Sequence, residues 1–375
     1  MNALIFNSAH NKYPLGKDSW IQATVRTVGK LSDSTDTIIS SLDPMPWSFV
    51  TYLAGRYGMN SSLIIPAPPR IRRCDRQALY DDILDDFNLD GSKVQPVYPD
   101  ESGSRAQNRK TFWQLRDRVA VETAQLIFPV SIRPGGRLSR LLDDDAVRTK
   151  IRNDFRIQWS SEGYIPRYTL TDQTINRLTE GDWLVHWTRA SQGPWPGEKS
   201  WRFYHDMLEN PGEYVRSAGA TLARIVSELR LRGSSWKLPE GEQAVAFTAQ
   251  PIEEALRLMR WRQRYVRYTF EPYGIAIRLA ALLDMGAGRV SYSRFQVSGS
   301  RQKQPLSGED RLFIHAAGEK TDWEREKEWR IRGDLSLETL DGKDMFALVP
   351  DNKAREEVLR KMERDIAVHV IFKDM

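Results

Sequence analysis

The chain holds one cysteine, Cys74, in 375 residues. A lone thiol excludes an intramolecular disulfide and any zinc site built from several cysteines. Histidine is scarce too: five residues, too scattered for metal-ligand spacing, so no metal is expected. His205 and His315 read as surface or packing residues, and His369 as an ordinary strand residue. No apolar run approaches the length of a membrane span, and no membrane partner is expected. The opening MNALIFNSAH has neither a basic leader nor a small-residue cleavage site, so it reads as a first strand of a cytoplasmic protein. No GxGxxG follows that strand, which argues against nicotinamide-dehydrogenase chemistry. The formal net charge is only +5, so nucleic-acid binding would need a local patch rather than bulk charge.

The length suits about two domains, and 40% hydrophobic with 28% charged residues describes a globular chain. The first half alternates short apolar runs with helical spacing. Residues 3–7, 37–41, 62–66, 94–98 and 125–130 read as strands, and 19–30, 47–57, 75–87 and 110–123 as helices. This rhythm predicts a doubly wound parallel sheet in a domain spanning 1–158, with ligands where strands end and helices begin. Two strand ends stand out. After the first come Ser8 and His10; after the fifth comes SIRPGGRLSRLL, with Arg133, Gly135, Gly136 and Arg137. A glycine pair between strand and helix lets backbone amides approach an anion, so these six residues form the expected nucleotide-phosphate site.

Arg109-Lys110, Trp113 and Arg116-Asp117, followed by an apolar strand and PGG, resemble the Rossmann-like superfamily of lysine-decarboxylase-like nucleotide hydrolases and DprA-like proteins. The hydrolases continue PGG with Gly-Thr and a catalytic Glu; this chain has neither, which argues against phosphoribohydrolase activity. The resemblance implies nucleotide binding of the sensor type.

Residues 160–375 lose that rhythm and read as an α+β domain. Its strands are expected at 183–188, 244–248, 274–279, 289–293, 345–349 and 367–372 and in the stretch around 326–330, and an additional strand is expected at the join, 155–159. A short polar helix is expected within TDQTINRLTEGD, and helices at 201–232 and 252–265. The stretch KTDWEREKEWRIRGD, Lys320 to Asp334, organises this half. Strand alternation would put Glu326, Glu328 and Arg330 on one face, a charged trio that is costly to bury unless it pairs or meets a ligand. The Arg-rich stretch Leu256–Tyr268 reads as one helix, whose arginines either pair with acidic residues, hold a substrate phosphate through Arg260, or grip single-stranded nucleic acid. His186 shares a strand face with Thr188.

Taken in order, LVHWT, AVAFT, Trp261 with Tyr265, EPYGIAI, RVSY and Lys320-x2-Trp323-x2-Glu326-x-Glu328-x-Arg330 resemble a bacterial family of unknown function. That family in turn resembles the ADP-ribosyltransferase fold of His-Tyr-Glu type. The resemblance implies that NAD is consumed as substrate, by transfer of ADP-ribose to a protein or nucleic acid or by hydrolysis. Glu326 or Glu328 would stabilise the positive charge on the ribose, and Arg330 would hold the strand or a phosphate. His186, with Thr188 nearby, would bind the adenosine ribose, and Tyr292 or Tyr273 would stack on nicotinamide. The domain pairing implies an effector of bacterial stress or phage defence, regulated by a nucleotide ligand of the first domain; self-association stays open. The rival readings are a non-enzymatic nucleotide sensor or interaction protein, and a nucleic-acid-binding protein using residues 256–268.

Overall fold

The computed structural model describes residues 1–10, 12–34, 36–65, 73–99, 109–161, 163–168, 182–235, 238–239, 241–293, 310–316, 323–362 and 364–372. The polar helix expected within residues 171–182 falls almost entirely outside them. The chain divides into two compact units. One comprises Met1–Pro166 and Gly193–Val215; the other comprises Arg167–Gln192 and Arg216–Met375. The single boundary near 160 is thus replaced by a discontinuous partition, because residues 193–215 of the second half join the first unit.

The first unit is built on a parallel sheet. Its strands are β1 (Asn2–Asn7), β2 (Thr37–Ser41), β3 (Ser61–Ile64), β4 (Val94–Val97) and β5 (Leu126–Ser131), in the order β4-β3-β2-β1-β5. Between them run α1 (Ser19–Ser32), α2 (Met45–Arg56), α3 (Arg73–Phe87) and α4 (Arg109–Thr123). Short helices α5 (Arg137–Leu142) and α6 (Asp145–Arg148) follow β5, and α7 (Ser200–Glu209) completes the unit. Residues 155–159, expected as a strand, contribute only an isolated bridge between Ile157 and Ser131.

Alternation along β1 explains why helices cover both faces. Leu4 and Phe6 join Ile39, Ile64 and Ile127 under Trp47 and the α4 residues Ala120, Val121 and Ala124. Asn7 points the other way, where its side-chain amide donates to the Thr24 hydroxyl of α1 at 2.9 Å. The chain moves outward from β1 to β4 and then returns to β5 on the far side of β1. The order therefore reverses between β1 and β5, and their C-terminal ends form the switch point where such sheets bind ligands.

The second unit carries a mixed seven-stranded sheet. Its members in chain order are β6 (Trp183–Trp187), β8 (Ala244–Thr248), β11 (Gly274–Arg278), β12 (Gly288–Arg289), β15 (Glu328–Arg332), β17 (Met345–Val349) and β18 (Ala367–Val370). The spatial order is β12-β15-β8-β6-β11-β17-β18, antiparallel throughout except for β17 with β18. The remaining elements are α8 (Ala218–Glu228), β7 (Arg230–Leu231), α9 (Ile252–Arg257), β9 (Trp261–Arg262) and β10 (Arg267–Tyr268). To these are added α10 (Leu279–Asp284), β13 (Ser291–Ser293), β14 (Ile314–Ala316), β16 (Leu335–Ser336) and α11 (Asn352–Leu359). One face of the sheet buries Leu184, Val245, Phe247, Ile275 and Ile331 with α8 and α11; the other buries Val185, Ala276, Phe346 and Leu348 with α9.

Two helical expectations are corrected here. Residues 201–232 are not one helix, because Pro211-Gly212 breaks the run between α7 and α8, and Ser217 caps α8 through the Ala220 amide. The Arg-rich stretch is not a helix either. Helix α9 ends at Arg257, and residues 261–268 form a hairpin in which Trp261 pairs with Tyr268 and Arg262 with Arg267. Three β-favouring aromatics, Trp261, Tyr265 and Tyr268, outweigh the helical spacing of the arginines.

Candidate functional site

The site in the second unit begins with a departure from strand periodicity. Strand β15 starts at Glu328, and Glu326 belongs to a turn of 3-10 helix, Trp323–Glu326, just before it. Lys327 between them takes φ +43°, a left-handed conformation costly for a side-chain-bearing residue. The expected shared strand face therefore holds for Glu328 and Arg330, and fails for Glu326. The end of β8 pins this kink. Thr248 Oγ1 donates to the Glu326 carbonyl, the Gln250 side-chain amide donates to the Arg325 carbonyl, and the Ala249 amide donates to the Lys327 carbonyl at 3.2 Å. Backbone strain held in place by several contacts is a feature of functional sites.

The two glutamates then part in role. Arg330 is 5% exposed and grips Glu328 with two nitrogens, Nε to Oε1 at 2.8 Å and Nη2 to Oε2 at 3.1 Å. Its Nη1 donates to the Leu312 carbonyl at 2.7 Å, so the guanidinium is anchored on two sides. The Tyr292 hydroxyl donates to Glu328 Oε2 at 3.1 Å, and burial with the adjacent carboxylate drives the phenol pKa up. Glu328 is thus held at both oxygens by protein groups, a bidentate arrangement that fixes the strand start.

Glu326 has no such hold. Among the described residues, no hydrogen bond or ion pair engages its carboxyl. Burial, and next the charge of Glu328, lift its pKa to about 7, while Arg262, Arg260 and Arg189 pull the other way. A carboxyl with no partner among the described residues, in the field of three cations and with a pKa at neutrality, is the arrangement expected of a group that meets a ligand.

Arg189 sits in the turn after β6, and that turn is locked. The Glu271 carboxylate, fully buried, accepts from the Ala190 amide at 2.7 Å and from the Tyr168 hydroxyl at 2.6 Å. Its own amide donates to the Thr188 carbonyl at 2.9 Å. Desolvation raises the Glu271 pKa against these hydrogen bonds. Replacing Glu271 by Ala removes the acceptor of the buried Ala190 amide and of the half-buried Tyr168 hydroxyl, so stability drops by about 2–4 kcal/mol, read as an earlier denaturant midpoint; Glu271→Gln, which keeps an acceptor, loses less.

The Thr188 hydroxyl donates to backbone carbonyls of Ala218, at 3.1 Å, and Tyr273, at 3.2 Å, and the side chain is buried. Tyr273 packs against the core, its ring over Gly219, where an added Cβ would come within 3.1 Å. His186 donates Nδ1–H to the Ala246 carbonyl at 2.8 Å, leaving Nε2 as an acceptor, and burial pushes its pKa down so that it is neutral at pH 7. The register aligns Val185, Thr248 and Glu328 in one row, so His186 faces the opposite side of the sheet from Glu328. It lies where β6 and β8, paired only at Val185 and Thr248, come apart. The Arg189 charge acts on both His186 and Glu326.

Glu326, Glu328, Arg330 and Tyr292 thus gather at the β15 start, with Arg260 in the field around Glu326. Thr188 and Tyr273 serve the packing of the turn after β6. Arg189, Arg262 and Glu271 were missed by sequence reading. The adjacency of Glu271 to Pro272-Tyr273-Gly274 and of Arg189 to the HWT run were the available signals.

In the first unit, the switch point brings the two predicted loops together. The Ser8 amide donates to the Ser131 carbonyl, and the Arg133 amide donates to Ser8 Oγ, both at 2.8 Å. Gly135 adopts φ +64° and Gly136 precedes α5, where an added Cβ would lie 3.0 Å from the Arg133 carbonyl. The charges are arranged differently from expectation. Arg137 is ion-paired with the buried Asp117, and His10 is sandwiched between Trp20 and Trp159 at 4.9 and 5.9 Å. Burial lowers the His10 pKa to about 4, so it carries no charge at neutrality. Arg133 is exposed at the loop surface, its guanidinium 5.6 Å from the Trp159 ring centroid.

Among the described residues, no cluster of His, Cys, Asp or Glu is placed to hold a metal ion, and no helix is long and apolar enough to cross a membrane. Comparison with protein-family models, with curated proteins and with solved structures found no match.

Proposed function

We propose that the second unit consumes NAD at Glu326, as an ADP-ribosyltransferase or a glycohydrolase, and that the first unit binds a regulatory nucleotide. The observation that supports the enzymatic reading is the Glu326 carboxyl, without a partner among the described residues, in the field of Arg262, Arg260 and Arg189. In this reading the N-glycosidic bond breaks with its electron pair leaving on nicotinamide, and the ribose develops oxocarbenium character. The Glu326 carboxylate stabilises that charge and orients a ribose hydroxyl. Arg189 and Arg262 hold the diphosphate, and His186 accepts a ribose hydroxyl at Nε2. The acceptor, or water, then bonds to the anomeric carbon and releases its proton to solvent. Glu328 is assigned to hold Arg330 and Tyr292 in place rather than to meet the substrate.

The test is release of nicotinamide from NAD by the purified chain, followed by chromatography across pH. The reactive form is the carboxylate, so kcat/KM rises as pH passes through about 7, the value of free Glu326. Arg262→Gln removes a cation that favours the ionised form, and the midpoint moves to higher pH. A profile flat from pH 5 to 9, or no release with any nucleotide added, would sink the reading. For the first unit, Arg133→Ala weakens nucleotide binding measured by calorimetry, since Arg133 is an exposed cation at the switch point.

A further inference from the structure

The hairpin between α9 and β11 presents an arrangement that one small substrate does not account for. From Leu256 to Phe270 the sequence holds Arg257, Arg260, Arg262, Arg264 and Arg267 and no carboxylate. Strand pairing decides where three of them go. Arg262 is the direct cross-strand partner of Arg267, and alternation puts Arg260 on the same face. Trp261 and Tyr268 pair on the other face, ring centroids 5.3 Å apart, with Tyr168 behind Tyr268 at 5.8 Å.

Like charges directly opposite one another are unfavourable in a two-stranded pair. Among the described residues, neither Arg260 nor Arg262 makes an ion pair, although both act on Glu326. Arg257, by contrast, is neutralised by Glu254 at 2.9 Å. At the tip, Tyr265 is 37% exposed, and the Arg267 guanidinium stands 5.7 Å from its ring centroid. A face of arginines on a hairpin with an aromatic tip suits a flexible chain of phosphates and bases. The hairpin's paired strands are only two residues each, too short for a ribbon lying along a duplex groove.

We infer that this hairpin face is a docking surface for single-stranded nucleic acid, held beside Glu326. The inference goes beyond NAD consumption and places a polyanion where the transfer reading needs an acceptor. The two are tested separately: nicotinamide release decides the enzymatic reading, and oligonucleotide binding decides this one.

The experiment uses the full chain carrying Glu326→Gln, so that no transfer perturbs the binding. Fluorescence anisotropy is followed with labelled oligothymidylate, oligouridylate and a blunt DNA duplex over a range of salt concentration. Binding to the single strands is expected to be tighter than to the duplex and to weaken steeply with salt. The more tightly bound of the two single strands identifies the sugar type. Arg260→Ala, an exposed substitution, should lower affinity about fivefold to tenfold and flatten the salt slope by roughly 0.7, the loss of one phosphate contact. Arg260→Lys, which keeps the charge, should retain most of the affinity. Absence of single-strand binding, equal binding to the duplex, or affinity unchanged by Arg260→Ala would each overturn the inference.

Discussion

Glu326→Gln is expected to reduce nicotinamide release by about two to three orders of magnitude while leaving the fold intact. The variant keeps the shape of the side chain and removes the charge that the transition state requires. It removes no hydrogen bond or ion pair formed with the described residues. Because the folded state raises the pKa of Glu326, the protonated form is favoured on folding. Stability therefore falls as pH rises from the ordinary carboxylate range through about 7. The amide escapes that penalty, so the variant should be at least as stable as the parent at pH 8. Glu328→Gln provides the contrast. It leaves the Arg330 guanidinium buried with half of its compensation gone, and stability should drop by about 3 kcal/mol or more. Activity in that variant falls through loss of structure at the β15 start. A chain in which Glu328→Gln silences catalysis without moving the melting temperature, while Glu326→Gln remains active, would exchange the roles of the two residues.

The strand–helix rhythm of the first half was legible because parallel strands buried on both faces are short apolar runs, as in β1, β2, β3 and β5, whereas β4, VQPV, is an edge strand with Gln95 and Pro96 exposed. The organising stretch around Glu326 was legible in composition and only partly in geometry. Period-2 alternation assumes an unbroken strand, whereas Lys327 takes a left-handed φ that no local residue type signals. That kink is enforced from β8 by Thr248 and Gln250, about eighty positions away in sequence, so it belongs to tertiary structure. The hairpin 261–268 was misread for a related reason. Arginines at three- and four-residue intervals satisfy a helical stripe and a short antiparallel pair alike, and packing of Trp261 on Tyr268 decides between them. Glu271 escaped notice because a single carboxylate between aromatics has no periodic signature. Only the fold reveals that it holds the turn carrying Arg189.

A second large effect is expected within the first unit, at Asp117 in α4. Arg116 and Asp117 are adjacent in sequence, and both are only 1% exposed. The guanidinium donates to Asp117 Oδ1 from Nε at 3.0 Å and from Nη2 at 2.7 Å, and Nη1 reaches the backbone carbonyls of Leu42 and Asp43. Trp47 lies 4.3 Å from it, ring centroid to guanidinium carbon. Arg137 closes the network on Asp117 Oδ2. Burial disfavours both charges, lowering the Arg116 pKa and raising that of Asp117, so each depends on the other to remain ionised. Asp117→Asn leaves a buried cation without its counter-charge and should destabilise the first unit by about 3–5 kcal/mol, seen in calorimetry of the full chain as an earlier transition. The double substitution Arg116→Met with Asp117→Leu removes both charges and should recover part of that loss. Recovery stays incomplete because the Leu42 and Asp43 carbonyls lose the donor that satisfied them. Arg137, released in either variant, is already 44% exposed as a side chain and can turn to solvent at little cost. An Asp117→Asn protein that melts with the parent would mean that the network is held by the backbone carbonyls alone, and that the carboxylate adds nothing to the unit's stability.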